Sequence, residues 1–332
     1  PDLALVQARE MDRIRKSGRA TGALHGVPVA IKESVDTRVM PTERGTPIFA
    51  GRRPDRDAAI VDRLREAGAV LMGKTKTTEL AFVHPTDTTN PHDAARSPGG
   101  SSSGSAAAVA AGHVPLAIGS QTGGSVIRPA AYCGLYGFKP TRGVISRSGV
   151  LQTSETLDHI GVFARSLDDA ALLTDAIGHF DPTDRASLAR PRPAMLAGAR
   201  AEPPVEPDLA WFDFPFLDQL APDARDGFDA LLDALGPRVD RLPAAPALAG
   251  LVDVHLTIHE YEFCQHLADL IDTRHDDLSD TLRPVIARGR AITRSHYEDA
   301  MAVRETALDF FANHFRDYDA ILSPSTTGEA PL

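Results

Sequence analysis

Gly99-Gly100-Ser101-Ser102-Ser103-Gly104-Ser105 leads through Ala106-Ala107-Ala108-Val109-Ala110-Ala111-Gly112 and Val114-Pro115-Leu116-Ala117-Ile118 to Gly119-Ser120-Gln121-Thr122-Gly123-Gly124-Ser125, and this stretch decides the fold. The alanine run predicts a small-residue helix, Pro115 marks the turn that follows it, and Leu116 to Ile118 predict a short buried strand. Ser101 and Ser125 then fall where elements begin or end, positions that give a side chain access to a cleft. The glycines beside them let the backbone approach a substrate or adopt dihedrals closed to other residues. A pair of plain glycine-serine loops has the same composition, so the choice between loop and hydrolytic site turns on residues further upstream.

Working outward, Gly26-Val27-Pro28-Val29-Ala30-Ile31-Lys32-Glu33-Ser34-Val35-Asp36 predicts a short apolar strand that delivers Lys32 at its end. Lysine is rarely buried without a partner or a task, and desolvation lowers its pKa until the neutral amine becomes a usable base. The alternative is a strand-end lysine that reaches solvent along its own methylenes.

These pieces together resemble the amidase signature family. The likeness continues through Gly73-Lys74-Thr75-Lys76-Thr77-Thr78-Glu79-Leu80-Ala81-Phe82, Ser125-Val126-Ile127-Arg128-Pro129-Ala130-Ala131-Tyr132-Cys133-Gly134 and Gly137-Phe138-Lys139-Pro140-Thr141-Arg142-Gly143, so it covers most of residues 20–175. The resemblance implies a Ser-Ser-Lys triad with Ser125 as nucleophile, Ser101 as bridge and Lys32 as distal base, and a cis peptide at Gly100–Ser101. A serine hydroxyl is a weak nucleophile until a base takes its proton, and Ser-Lys arrangements are known substitutes for Ser-His-Asp. Consecutive backbone N–H groups of Thr122, Gly123, Gly124 and Ser125 can receive the negative charge that develops on an attacked carbonyl oxygen. Gly100, Gln121 and Arg128 are the substrate-binding candidates. Arg128 stands three residues after the nucleophile, a spacing similar to malonamidase-like members, and it could grip a substrate carboxylate or form an ion pair that holds the loop before Pro129. Gln121 stands where aspartate is commoner in the family.

Three other motifs carry less. Gly68-Ala69-Val70-Leu71-Met72-Gly73-Lys74-Thr75 matches the phosphate-binding loop pattern, but its variable residues are apolar like a buried strand, and an amphipathic helix precedes it where a strand is required. His255, His259 and Glu262 share a helical face, yet no further ligand cluster is spaced to complete a metal site, so no metal is expected. Cys133 sits in a small apolar segment and reads as a buried hydrophobe.

Composition sets the outer limits. The 332 residues carry a net charge of −10, which argues against nucleic acid as a main partner. Two cysteines build no disulfide framework and favour a reducing cytosol, hence a cytoplasmic location. No apolar run is long enough to span a membrane. The expected partner is a small-molecule amide, with no cofactor, no nucleic acid and no membrane, and with a homodimer left open.

The expected fold is α/β: a mixed twisted central sheet flanked by helices, one large domain with a helical excursion. Residues 1–178 form the catalytic core. Residues 179–318 are a linker and helical excursion lining the cleft, with helices at 223–235 and 252–271 and an apolar stripe of Tyr297, Met301, Leu308, Phe311 and Phe315 that reads as packing. Residues 319–332 are a return strand to the core, where family members continue further, and Asp87 to Arg96 looks shorter than the family's usual connection. The expected function is hydrolysis of a small linear amide, of malonamate type or otherwise carboxylate-bearing, to an acid plus ammonia or amine. A glutaminase component of a tRNA-dependent amidotransferase and a catalytically inactive binding fragment are the alternatives.

Overall fold

The computed structural model describes residues 2–192 and 194–332. The chain divides into a larger unit of Pro1–Arg200, Gln265–Val285 and Ala330–Leu332 and a smaller unit of Ala201–Cys264 and Ile286–Glu329. No described helix is long and apolar enough to cross a membrane.

The larger unit begins with α1 (Asp2–Lys16) and β1 (Pro28–Lys32), then α2 (Ala59–Glu66), β2 (Val70–Thr75), α3 (Ser103–Ala110) and β3 (Leu116–Gln121). After these come α4 (Ile127–Tyr132), β4 (Tyr136–Phe138), β5 (His159–Ala164) and α5 (Leu167–Ile177). The five strands form one sheet in the order β2-β1-β3-β5-β4. β1 runs parallel to β2 and β3, whereas β5 runs antiparallel to β3 and β4, so the sheet is mixed as expected.

Side-chain alternation along β1 explains where the site lies. Val29 and Ile31 join Ile60, Leu64, Leu173 and Ile177 in a core between the sheet and helices α2 and α5. Ala30 faces the other way, into a second core with Ala106, Val109, Ala130 and Phe163 under α3 and α4. Each buried Leu, Ile or Phe contributes about 1.5–3 kcal/mol. The period of two sends Lys32 to the side of Ala30, where α3 and α4 begin. Small residues permit this close layer: a Cβ on Gly119 would lie 2.6 Å from the Phe163 ring and 2.9 Å from Ser102 Oγ.

The phosphate-loop pattern is a strand. Residues 70–75 pair with β1 apart from an irregularity at Met72, and Gly68 takes the left-handed conformation (φ +81°) just after α2. Lys74 Nζ donates to Val35 O and to Thr42 Oγ1, pinning the loop after β1.

The smaller unit departs from the sequence reading. Residues 179–318 are not only linker and helices: β6 (Leu209–Phe212) and β7 (Val239–Leu242) lie within them. The strand β8 (Ala320–Leu322), expected to return to the core sheet, pairs parallel with β6 in a separate sheet of order β7-β6-β8. The reason is local packing. Trp211, Leu232 and Val239 form a core of their own, with Leu209, Phe228 and Leu322 packed against it. Of the last residues, Ala330–Leu332 belong to the larger unit, where Ser97 N donates to Pro331 O.

Two helical expectations also change. The helix expected at 252–271 is two, Leu251–His266 and Ala268–Arg274, separated by the non-helical Leu267 (φ −109°, ψ 20°). The apolar stripe on helix Arg294–His314 is only partly packing, since Leu308 and Phe315 are exposed while Ala300 and Ala307 are the buried positions.

Candidate active site

Lys32 closes β1 with none of its surface exposed. Its Nζ donates to Ser101 Oγ at 2.7 Å and to Ser120 Oγ at 2.9 Å. Burial pulls its pKa down from 10.5 to about 7, against the attraction of Asp158 and Glu33 for the charged form. The strand-end lysine therefore does not reach solvent. It sits among hydroxyls with a substantial neutral fraction near neutral pH.

Ser101 precedes α3, and the Gly100–Ser101 peptide is cis. Its carbonyl accepts from Thr77 Oγ1 at 3.0 Å and Thr78 N at 3.2 Å, while Ser103 Oγ donates back to Gly99 O at 2.7 Å. Gly99 takes φ +79°, and a Cβ there would lie 2.9 Å from the Tyr132 ring, so this turn accepts only glycine. Gly100 is close-packed too, with Thr78 Cγ2 only 3.0 Å from where its Cβ would be.

Ser125 occupies the turn between β3 and α4 and is buried. Its Oγ has no hydrogen-bond partner among the described residues, so the structure joins Lys32 to Ser101 directly but draws no hydrogen bond from Ser101 to Ser125. Catalytic hydrogen bonds are often long without substrate and tighten when it binds. Among the described residues none accepts from the backbone N–H of Gly123, Gly124 or Ser125. Three successive free donors around a free hydroxyl suit a developing oxyanion.

Gln121, expected at the substrate, has a different task. Its Oε1 accepts from Val126 N at 2.8 Å and Ile127 N at 3.0 Å, satisfying two N–H groups at the start of α4 that would otherwise be orphaned. The side chain braces the turn that carries Ser125. Arg128 is exposed and forms no ion pair with a described residue, which leaves the loop-holding ion pair without support. Its Nη2 lies 3.1 Å from where a Cβ on Gly124 would be, so the guanidinium lies beside the residue that precedes Ser125.

Two polar residues escaped the sequence reading. Ser120 is the second hydroxyl on Lys32. Asp158, buried just ahead of β5, accepts from Thr122 Oγ1 at 2.6 Å, Thr153 N at 2.7 Å, Thr153 Oγ1 at 2.9 Å and Ser154 N at 3.0 Å. A signal for it existed, because the polar run Thr153-Ser154-Glu155-Thr156 interrupts two apolar stretches. A cavity of about 400 Å³ borders Ser120 and Thr122 and is otherwise lined by Ala81, Gln152, Glu155 and His266 among others. Its polar lining suits a small polar molecule better than a hydrocarbon chain.

Cys133 is buried with its thiol pushed up to about 11 by burial, which removes it as a nucleophile. Of the imidazole pair, His259 is buried and packs edge-on to His255, and Glu262 accepts from Tyr297 Oη at 2.7 Å. Among the described residues no group of three or more His, Cys, Asp or Glu side chains is placed to hold a metal ion.

Comparison with known proteins shows the family. The family model described as Amidase matches residues 1–332. The A subunit of glutamyl-tRNA(Gln) amidotransferase from Acidothermus cellulolyticus is 36% identical over 98% of this chain and 71% of its own length. A solved structure, a vestigial protein complex that bears on the evolutionary origins of an s-triazine catabolic enzyme, superposes with a TM-score of 0.92 at 31% identity, covering 99% of this chain and 73% of that one. A crystal structure of an amidase gives 0.83 at 30% identity, with 99% and 74% covered. The chain belongs to the amidase family, and its chemistry is the hydrolysis of amide carbon–nitrogen bonds.

Proposed function

We propose that this member of the amidase family hydrolyses a small carboxylate-bearing primary amide to acid and ammonia through an acyl-enzyme on Ser125, and that it does so as the glutaminase component of an amidotransferase. The observation that carries the catalytic part is the buried Lys32 amine, with a pKa of about 7, at 2.7 Å from Ser101 Oγ. Neutral Lys32 takes the Ser101 proton while Ser101 takes that of Ser125, whose Oγ bonds to the amide carbon. The carbonyl oxygen gains charge and is met by the N–H groups of Gly123, Gly124 and Ser125. The C–N bond then breaks as the proton stored on Lys32 passes through Ser101 to the leaving nitrogen, which departs as ammonia. Water attacks the ester by the same proton route and releases the acid.

Arg128 binds the substrate carboxylate through two parallel hydrogen bonds, since its guanidinium is free of any acidic partner among the described residues and lies beside Gly124. The glutaminase setting is favoured over a free-standing amidase by the 36% identity to the amidotransferase relative across 98% of the chain. The free-standing reading is supported by the 0.83 match to a structure named simply as an amidase, and by Gln121 and the spacing of Arg128 after Ser125.

Ammonia release from glutamine, asparagine, malonamate and uncharged short amides, each with and without candidate partner subunits, tests the proposal. Release from glutamine that rises with partners supports it. Release confined to other amides and indifferent to partners favours the free-standing enzyme, and no release from any of them in the full-length protein favours a binding role.

A further inference from the structure

We propose that Asp158 is a positioning residue for this reaction: it sets the oxyanion run through Thr122 and tunes the Lys32 base through space. The inference rests on the Ser125-Ser101-Lys32 reading above and adds to it a residue that touches no reacting atom.

The sheet brings the parts together. β3 and β5 are antiparallel with Gln121 opposite His159, so Thr122 and Asp158, one step further along each strand, meet at the sheet's end. Asp158 Oδ1 accepts from the hydroxyls of Thr122 and Thr153, and Oδ2 accepts from the N–H groups of Thr153 and Ser154. All four donors are neutral, and among the described residues no cation forms an ion pair with this carboxylate. A buried carboxylate without a paired cation is costly to keep, so its four bonds must be worth their geometry. One of those bonds, at 2.6 Å, is to the residue that precedes Gly123, Gly124 and Ser125, whose N–H groups have no acceptor among the described residues. A fixed Thr122 fixes the direction from which Gly123, Gly124 and Ser125 aim.

The same carboxylate lies close to the base along the end of β3: Lys32 Nζ donates to Ser120 Oγ at 2.9 Å, and Thr122, two residues further on, donates to Asp158 at 2.6 Å. Asp158 and Glu33 are the two acids whose fields reach Lys32 and favour its charged form, opposing burial. Glu33 follows Lys32 on the chain and accepts from Thr77 N at 2.8 Å, and Lys32's other close neighbours, Ser101 and Ser120, are uncharged hydroxyls. Asp158 itself is pushed up by burial and held down by its donors from Ser154, Thr122 and Thr153. Without its charge Lys32 would lose protons more readily, becoming a weaker base that is neutral at lower pH.

The test compares Asp158→Asn, Thr122→Val and Thr122→Ser with the unmodified full chain on whichever amide of the panel it hydrolyses, with Ser125→Ala as blank. Asn presents one acceptor oxygen where four donors need two, so Asp158→Asn should lower kcat by about 10²-fold, the usual cost of a lost oxyanion donor, with KM nearly unchanged. The acidic limb of its kcat/KM profile should move to lower pH. Thr122→Val should lower kcat without moving the limb, and Thr122→Ser, which keeps the hydroxyl, should restore it. An Asp158→Asn enzyme with wild-type kcat, or with an unmoved limb and activity reduced only in proportion to its folded fraction, overturns the inference. If Asp158→Asn fails to fold, the threonine pair decides, and a Thr122→Val enzyme as fast as wild type is the overturning result. Unmodified protein no faster than Ser125→Ala refutes the triad reading itself and is recognised by that blank alone.

Discussion

Replacing Lys32 by methionine keeps the buried chain's length and removes its amine, and two consequences can be worked from the structure. The first is catalytic. Lys32 is the one ionisable group hydrogen-bonded to Ser101 among the described residues, so its loss leaves Ser125 without a base. Removing one member of a cooperating triad disables the unit, and kcat should fall by about 10³-fold or more. In the unmodified protein kcat/KM should rise with pH through about 7, because the base must be neutral. About a tenth of the lysines are neutral one pH unit below that midpoint and about nine tenths one unit above it.

The second consequence concerns stability and has the opposite sign. A folded pKa of about 7 against 10.5 in the unfolded chain means that the unfolded state binds the extra proton between those values, so Lys32 destabilises the fold increasingly as pH falls from 10.5 to about 7. The span corresponds to about 5 kcal/mol at neutral pH as a ceiling. Met forgoes this cost but leaves the Ser101 and Ser120 hydroxyls without their amine, at about 1–3 kcal/mol each. Relative to the parent, Lys32→Met should therefore be more stable at pH 7 than near pH 10, with that ceiling as the largest difference. Kinetics across pH 5–10 and thermal unfolding at both pH values are the assays. A near-normal rate, or a variant that melts well below the parent at pH 7 but matches it at pH 10, refutes the argument for a desolvated base.

Arg128→Ala should raise KM for carboxylate-bearing amides by about tenfold or more, the worth of a charge-assisted hydrogen bond, and leave uncharged amides unaffected, as initial-rate measurements on the two classes will tell. Gly119→Ala should destabilise the larger unit by about 1–3 kcal/mol, because the new methyl meets the Phe163 ring at 2.6 Å, and a denaturant titration reads this directly.

How far the sequence could be read depended on whether local chemistry or distant packing decided each element. The β1 strand was legible because its apolar run is short and opens at Pro28, and the lysine that ends it is out of place on apolar ground. The helix and strand between Ser101 and Ser125 were legible for the same reason, since glycine and proline punctuate them. Residues 209–212 and 239–242 were not, because each strand has only four residues, and Asp240 and Arg241 give the second a polar, exposed middle. Ala320-Ile321-Leu322 was recognised as a strand but assigned to the wrong sheet, since three apolar residues carry no information about which neighbour they pair with. At the site, the family resemblance foretold Lys32 beside Ser101, which residue types alone left open. The bond from Gln121 to Val126 and Ile127, and the meeting of Thr122 with Asp158, depend on strand register, which no single stretch of sequence displays.

The central claim is that Ser125 becomes covalently acylated, and mass spectrometry of the intact protein after exposure to a serine-directed fluorophosphonate, followed by peptide mapping, tests it most directly. One adduct on Ser125, absent in Ser125→Ala and formed far more slowly in Lys32→Met, is the expected result. An adduct on another residue, or equal labelling of the Lys32→Met protein, would contradict the account.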